Sequence, residues 1–392
     1  MIRIRLKKHE DRRIRHGHPW VFSNEIERID GERQPGAAAE LYDAAGDFLG
    51  CGHYNPHSLI AYRMLSRQRQ DLDSVDLYEA RIRSARDHRT TIFPGLTTVR
   101  AVYGESDLLP GLVVDRYGDW LSIQFLSAGM DRRRDLILEA LQRVYAPAGI
   151  IGRNDVAVRG LEQLEEKVEL LAGEVPERIG IEENGLRFTV DLRQGQKTGS
   201  FLDQKLNHLL LKGLCEGRQV LDCFCYHGSW ALHAGRFGAA RAVGLDISAQ
   251  AVAQARENAA LNDLSGQVLF EECDVFDRLR TLRQEGSGYG VIIMDPPAFI
   301  KSRKSIAEGT KGYLTINRRA LELLEPGGYL VTCSCSYHMG REAFRETLVN
   351  AARLARREVR LVAVASQAPD HPVLLSFPEA EYLKCFVLQV TG

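Results

Sequence analysis

No stretch of this chain approaches the roughly 18 consecutive apolar residues that a membrane-spanning helix needs, and its first residues lack the apolar core of a signal peptide. A cytoplasmic protein with no membrane partner is therefore expected. Proline is scarce, at 13 of 392 residues, while 44% of the chain is hydrophobic. That balance excludes a disordered tail, a collagen-like rod and a small disulfide-stapled scaffold, because there is apolar material for more than one buried core. The length predicts two or three domains. Net charge is missing too, with 51 Lys and Arg against 52 Asp and Glu, which argues against wholesale wrapping of a polyanion. Internal repeats and low-complexity segments are absent. In a reducing compartment the eight cysteines (51, 215, 223, 225, 273, 333, 335 and 385) stay unpaired. They are to be read as packing, metal or catalytic residues.

What is present begins with a local excess of positive charge. Arg3, Arg5, Lys7, Lys8, Arg12, Arg13 and Arg15 face only Glu10 and Asp11, a surplus that suits phosphates or a solvated face equally. From Ile2 to about Arg69, short alternating strands broken by turns such as Asp30-Gly31 and Gln34-Pro35-Gly36 predict a small β-rich module. A helical pattern over 74–92 follows, then strands near 98–103, 111–116 and 120–126, a helix over about 131–144 and a strand at 149–153. Together these predict a compact α+β unit.

Beyond about Pro176, strands alternate with helices, at 219–224, 241–246, 267–271, 290–295 and 328–333, with late strands at 359–365 and 383–391 forming an antiparallel edge. Such alternation is the mark of a parallel sheet, since parallel neighbours require a crossover. The fold class is thus α/β, with domains expected at 1–70, 71–175 and 176–392.

In an open parallel sheet a ligand binds beyond the carboxyl ends of the strands. The first such end reads Asp222-Cys223-Phe224-Cys225-Tyr226-His227-Gly228. An acid leaving the strand and a glycine opening a helix let backbone approach a ligand while the carboxylate takes a cation or hydroxyl. One obligatory glycine rather than three speaks against a pyrophosphate-gripping dinucleotide site. The second strand ends in Asp246, 24 positions on, suited to ribose hydroxyls, with Ser248 as the N-cap of the next helix. After the third comes Asp274, suited to an exocyclic adenine amine, with Val275 or Phe276 flanking the ring; the fourth ends Asp295-Pro296-Pro297. Acids at successive strand ends suit a nucleoside whose far end carries a cation. Each acid alone reads as readily as a helix cap.

The fifth strand ends Cys333-Ser334-Cys335-Ser336. Carbon 5 of a pyrimidine takes a methyl group only after a thiolate adds to carbon 6, and Cys335, nearer the strand end, is the candidate thiolate while Cys333 packs below. Packing is the bland alternative for both. Zinc ligation by Cys223, Cys225, Cys333 and Cys335 with His227 and His338 is disfavoured, because C-x-C is not the usual ligand gap, and no metal is expected. Asp295 is placed to hold a pyrimidine edge, Pro296 and Pro297 to shape the pocket wall, and Phe299 to stack on the target base or anchor the core.

The spacing of the strand-end acids resembles that of class I S-adenosylmethionine-dependent methyltransferases. Further stretches are His18-Pro19-Trp20, Gly104-Glu105-Ser106-Asp107, Lys197-Thr198-Gly199 with Phe201-Leu202-Asp203-Gln204, Asp370-His371-Pro372 and Tyr382-Leu383-Lys384. With these the chain resembles, over nearly its whole length, the bacterial ribosomal RNA large-subunit methyltransferase I family, which makes 5-methylcytosine in 23S ribosomal RNA. The resemblance implies an N-terminal PUA-type RNA-binding domain, a central α+β domain and a C-terminal Rossmann-like methyltransferase domain. It implies Cys335 and Asp295 as catalytic residues. Lys197, Thr198, Gly199, Phe201, Asp222, Phe224, Gly228, Asp246, Ser248, Asp274, Val275 and Asp295 would hold S-adenosylmethionine. Pro296, Pro297 and Phe299 would meet the base, and Arg3, Arg5, Lys7 and Lys8 the RNA backbone. Homodimerisation stays an open alternative. One departure stands out: where the family has Phe-Ser-Tyr-Thr-Gly-Gly-Phe, this chain has Phe224-Cys225-Tyr226-His227-Gly228-Ser229-Trp230. Extra bulk near the methionine part of the cofactor leaves two competitors, a guanine-N or amine methyltransferase without thiol catalysis, and a non-catalytic ribosome-assembly RNA binder.

Overall fold

A computed structural model describes residues 1–195 and 197–391. Internal contacts divide it into two compact units.

The first unit comprises Met1–Ile181, Val190–Leu202 and Pro369–Ala380. Its N-terminal part is a six-stranded sheet in the order Trp20–Val21, Tyr62–Ser66, Phe48–Tyr54, Ala37–Tyr42, Ile2–Leu6, Ile26–Asp30. Along Ile2–Leu6 burial alternates strictly, so Ile2, Ile4 and Leu6 enter the core while Arg3 and Arg5 face solvent. The following α+β part is a five-stranded sheet, Val168–Gly173, Gly149–Arg153, Trp120–Phe125, Leu112–Tyr117, Thr98–Tyr103, with helices Val75–Ile92 and Arg134–Tyr145. A tight hairpin at Gly118-Asp119 joins Leu112–Tyr117 to Trp120–Phe125. Arg63 ties the two parts together, reaching Glu105 and Glu162 at 3.1 Å each with all three side chains largely buried. A buried pair of this kind is costly to break from one side, at about 3–5 kcal/mol.

The second unit comprises Glu182–Thr189, Asp203–Ala368 and the chain from Glu381 onward. Its strands are β1 (Gln219–Cys223), β2 (Arg241–Asp246), β3 (Val268–Glu272), β4 (Tyr289–Met294), β5 (Leu324–Ser334), β6 (Val359–Ala365) and β7 (Lys384–Val390). The helices are α1 (Ser229–Arg236), α2 (Ala249–Leu261), α3 (Val275–Gln284), α4 (Ile306–Leu323) and α5 (Arg341–Ala355). The sheet order is β3-β2-β1-β4-β5-β7-β6. β1 to β5 pair in parallel, and β7 runs antiparallel to both β5 and β6. The late strands are therefore antiparallel as expected, but β7 is inserted and β6 alone forms the edge. Burial on both faces explains the unbroken apolar runs of β1 and β4. The order reverses at β1, so a crevice opens beside the carboxyl ends of β1 and β4.

Gly244 in β2 keeps that crevice's floor close-packed: a Cβ there would lie 2.5 Å from the Phe270 ring and 3.0 Å from Cys225 Cβ. Gly244→Ala is expected to destabilise the protein by about 1–3 kcal/mol, the usual cost of overpacking, as measured by urea denaturation.

Candidate active site

Each acid predicted from the sequence sits at or just past the carboxyl end of its strand, though not in the same circumstances. Asp222, fully buried in β1, accepts the Ala231 amide of α1 on Oδ2 at 3.0 Å, and its Oδ1 has no hydrogen-bond partner. Burial drives this carboxyl well above the usual range, with Asp295 and Asp246 adding repulsion. A buried orphan oxygen calls for a donor, and a cationic one meets the need best. Asp246 is fixed by the amides of Tyr226 and Ser248, both at 2.9 Å, which leaves lone pairs for a diol. Ser248 caps α2 through the Ala251 amide. Asp274 is exposed and spends one oxygen capping α3 through Asp277 N at 3.0 Å.

Between β1 and α1 the backbone is contorted. Phe224 (φ 67°), Tyr226 (φ 49°) and Gly228 (φ 89°) all lie in the left-handed region. Non-glycine residues in that region store strain, which gathers where a loop must cradle a ligand. Gly228 is obligatory, because a Cβ would lie 2.7 Å from Phe270 Cζ. The half-buried rings of Phe224, Phe276 and Phe299 approach one another at 6.1–6.4 Å and form an apolar rim at these strand ends. Phe276 rather than Val275 presents the ring, since Val275 is 3% exposed and belongs to the core. Carboxylates beneath, a diol acceptor beside them and aromatic faces above fit a nucleoside with a cationic tail.

His227 does not crowd this crevice. It is buried against Phe188 at 5.7 Å, and burial lowers it to about 4, so it is neutral. Cys225 is buried as well, its sulfur towards the Tyr226 carbonyl. Both bulky replacements are thus absorbed by the interior. Trp230 has a definite task that the sequence did not disclose: its Nε1 donates to Asp295 Oδ2 at 3.0 Å. Gln204 Nε2 donates to the same oxygen at 2.9 Å and is itself oriented by Asn207 at 2.6 Å. Burial pushes the Asp295 carboxyl upward, and these bonds offset part of the shift.

Beneath Trp230 lies a polar cluster. The His208 ring meets Trp230 edge-on at 4.6 Å and stacks on His233 at 4.7 Å, and His208 Nδ1 is 2.6 Å from Glu183. Glu183, His208 and His233 are the group of potential metal ligands among the described residues, and the cysteines are not part of it. His233 Nδ1 donates to Ser229 O at 2.7 Å, so the cluster is already knit by hydrogen bonds.

Cys335 follows β5 immediately, partly exposed, its sulfur 4.0 Å from the Pro296 carbonyl. Ser336 Oγ fixes the turn, accepting Ile300 N at 3.1 Å and bonding Tyr313 OH at 2.8 Å. Cys335, Asp295, Pro296 and Phe299 are thereby gathered, with Pro297 exposed beside them. Cys333 is fully buried opposite Cys385, and burial holds its thiol well above the usual range. Lys197, Thr198, Gly199 and Phe201 belong to the first unit. There Lys197 Nζ lies 4.4 Å from the Phe201 ring, Thr198 bonds Asp115, and Gly199 has φ 135°. Arg3, Arg5 and Lys8 are exposed with no ion pair among the described residues, whereas Lys7 donates to Asn24 O at 2.7 Å. Arg13 and Arg15 are tied to Glu25, Asp11 and Asp43.

The β3-β2-β1-β4-β5-β7-β6 sheet and this ring of acids and aromatics define a class I methyltransferase. A family profile described as S-adenosylmethionine-dependent methyltransferase matches residues 120–376, and one described as PUA-like domain matches 4–67. Ribosomal RNA large subunit methyltransferase I of Shewanella denitrificans is 40% identical over 394 residues, covering 99% of both chains. The enzyme of that name from Aeromonas hydrophila is 39% identical over 98% of both. A candidate SAM-dependent methyltransferase from Streptococcus mutans matches the fold with TM-score 0.86 at 24% identity, over 100% of both chains. A further structure, solved with SAH, gives TM-score 0.87 at 22% identity. The chain belongs to the ribosomal RNA large subunit methyltransferase I family and is a methyltransferase dependent on S-adenosylmethionine.

A carboxyl raised above its unfolded value favours folding most at low pH, and that contribution is lost as pH rises through the folded value. Asp222→Asn is therefore expected to raise the melting temperature of cofactor-free protein at neutral pH, with the gain vanishing below about pH 4. The same variant is expected to weaken S-adenosylmethionine binding at least about tenfold by calorimetry, about 1.4 kcal/mol.

Proposed function

We propose that this enzyme methylates carbon 5 of a cytosine in large-subunit (23S) ribosomal RNA, with Cys335 as the nucleophile. The observation that carries the reading is the emergence of a partly exposed thiol at the end of β5, against the Asp295-Pro296 turn and on the strand ends that carry Asp222 and Asp246. A methyltransferase acting on nitrogen needs no thiol there.

Bound S-adenosylmethionine supplies an electrophilic methyl on a sulfonium, for which Asp222, Asp246 and the Phe224–Phe276–Phe299 rim form the receptacle. The Cys335 thiolate adds to carbon 6, breaking the 5,6 double bond and giving carbon 5 enamine character. Carbon 5 then forms its bond to the methyl as the sulfonium–methyl bond breaks. Loss of the carbon-5 proton to a base expels the thiolate and restores the ring. Asp295, with Oδ2 pinned by Trp230 and Gln204, has Oδ1 available for the pyrimidine edge. Its upward shift lets it keep a proton on ring nitrogen 3, which increases the electrophilicity of carbon 6. Pro296 and Pro297 stiffen the wall, and Phe299 offers a face for a flipped base. The segment 1–70 is the RNA-holding module of this reading, its Arg3, Arg5 and Lys8 meeting phosphates.

Cys335→Ala is expected to reduce methyl transfer to ribosomal RNA from a strain lacking the enzyme by about a thousandfold or more, leaving cofactor binding within twofold. Mass spectrometry of wild-type product should show 5-methylcytosine. Undiminished transfer, or an N-methylated guanine, contradicts the reading. Trp230→Phe removes the donor to Asp295 while keeping the ring, and is expected to lower kcat by about ten- to a hundredfold with little change in melting temperature.

A further inference from the structure

Lys384 is the first residue of β7, directly across from Ser334, the last residue of β5. Its side chain is 95% withdrawn from solvent, at a relative exposure of 5%. A buried ammonium is normally matched by a carboxylate, since an unpaired interior charge costs several kcal/mol. Lys384 has none within ion-pair distance among the described residues. Its Nζ donates instead to two main-chain carbonyls, Ser336 O and Tyr382 O, both at 2.7 Å. These bonds anchor the head group at the peptide that follows Cys335. The neighbour that most favours its charge is the Cys335 sulfur, ahead of Glu381. Glu381 is itself engaged by Arg341 of α5.

We infer that Lys384 is the counter-charge of the Cys335 thiolate, a positioning residue that keeps the nucleophile deprotonated and aimed before RNA arrives. This rests on the reading of Cys335 as nucleophile. The proton balance is simple: the thiol proton leaves to solvent or to the free amine of Lys384, and the resting pair is ammonium and thiolate. Burial lowers the Lys384 ammonium to about 8, with the sulfur opposing that shift, so at neutral pH the lysine still carries its charge. Among the described residues, other ionisable groups near the pair include Asp295, whose Pro296 neighbour meets the Cys335 sulfur, Tyr313 from α4, whose hydroxyl is turned to Ser336, and the Arg341–Glu381 pair. None of these brings a second free cation to the sulfur. Cys333, one step inside β5, lies fully buried with the Cys385 thiol as its neighbour and receives no such partner. Two cysteines two residues apart are thereby separated into an inert one and a reactive one.

The test is the pH dependence of iodoacetamide alkylation of Cys335 in the full-length protein without RNA, followed by peptide mass spectrometry in a Cys273→Ala background, since Cys273 is the other partly exposed cysteine. Lys384→Met is expected to move the alkylation midpoint up by about one pH unit or more, and to slow alkylation about tenfold at pH 7. Lys384→Arg, which keeps the charge, should recover most of that rate. In single-turnover methyl transfer, Lys384→Met should lower kcat with the alkaline shift of its rising limb while KM for RNA stays within twofold. An unmoved midpoint in a Lys384→Met protein that still binds S-adenosylmethionine overturns the inference even if Cys335→Ala is inactive. If Cys335→Ala instead retains full transfer, the nucleophile reading fails, and the midpoint shift alone then reports the ion pair.

Discussion

A carboxylate held in the middle of a parallel sheet, with no ion-pair partner among the described residues, is the constraint on which the second unit depends. Asp222 is fully buried, with one bond from the start of α1 and two further acids close enough to repel it. Left alone it costs stability; paired with a cationic ligand it becomes the origin of binding energy. The left-handed turn at Phe224–Gly228, the glycines that let Phe270 close the floor and the aromatic rim all surround the strand end that carries that oxygen.

The reacting side is organised by hydrogen bonds of another kind. Asp295 is gripped by Trp230 and Gln204, and Trp230 rests on His208, which Glu183 holds. Burial tends to raise Glu183, but the neighbouring His208 and His233 more than compensate, and its net shift is downward. A polar scaffold therefore stands behind Asp295, whereas the Cys335 sulfur lies against the Pro296 carbonyl and Lys384 bonds the carbonyl of the residue that follows it. Of the departures in this loop, Cys225 and His227 fill the interior and Trp230 donates to Asp295.

Much of this was legible in the sequence. Period and punctuation located β2 and β6 to the residue and the other strands of the large sheet to within a few, although β6 is an exposed edge strand and β4 is buried on both faces. The acids at strand ends and the thiol after β5 followed from the rule that parallel sheets bind ligands at their carboxyl ends. Partnerships between distant segments were not legible. Nothing local in Trp230 or Gln204 points to Asp295, and the insertion of β7 between β5 and β6, which brings Lys384 beside Cys335, is a matter of topology. The choice between Val275 and Phe276 was open for a similar reason: an apolar residue after a helix cap can face a ligand or the core, and the Val275 side chain is in the core. The division of the chain was also hidden, since Val190–Leu202 and Pro369–Ala380 leave the surrounding sequence to join the first unit.

The central claim, that the Cys335 sulfur bonds to the ring that receives the methyl group, is tested most directly with ribosomal RNA carrying 5-fluorocytidine. Fluorine cannot leave as a proton does, so the adduct cannot resolve. A protein–RNA adduct stable to denaturation, formed only with S-adenosylmethionine present and mapped by mass spectrometry to Cys335, is the predicted result. Normal methylation of unsubstituted RNA with no such adduct on the fluorinated one would contradict the account.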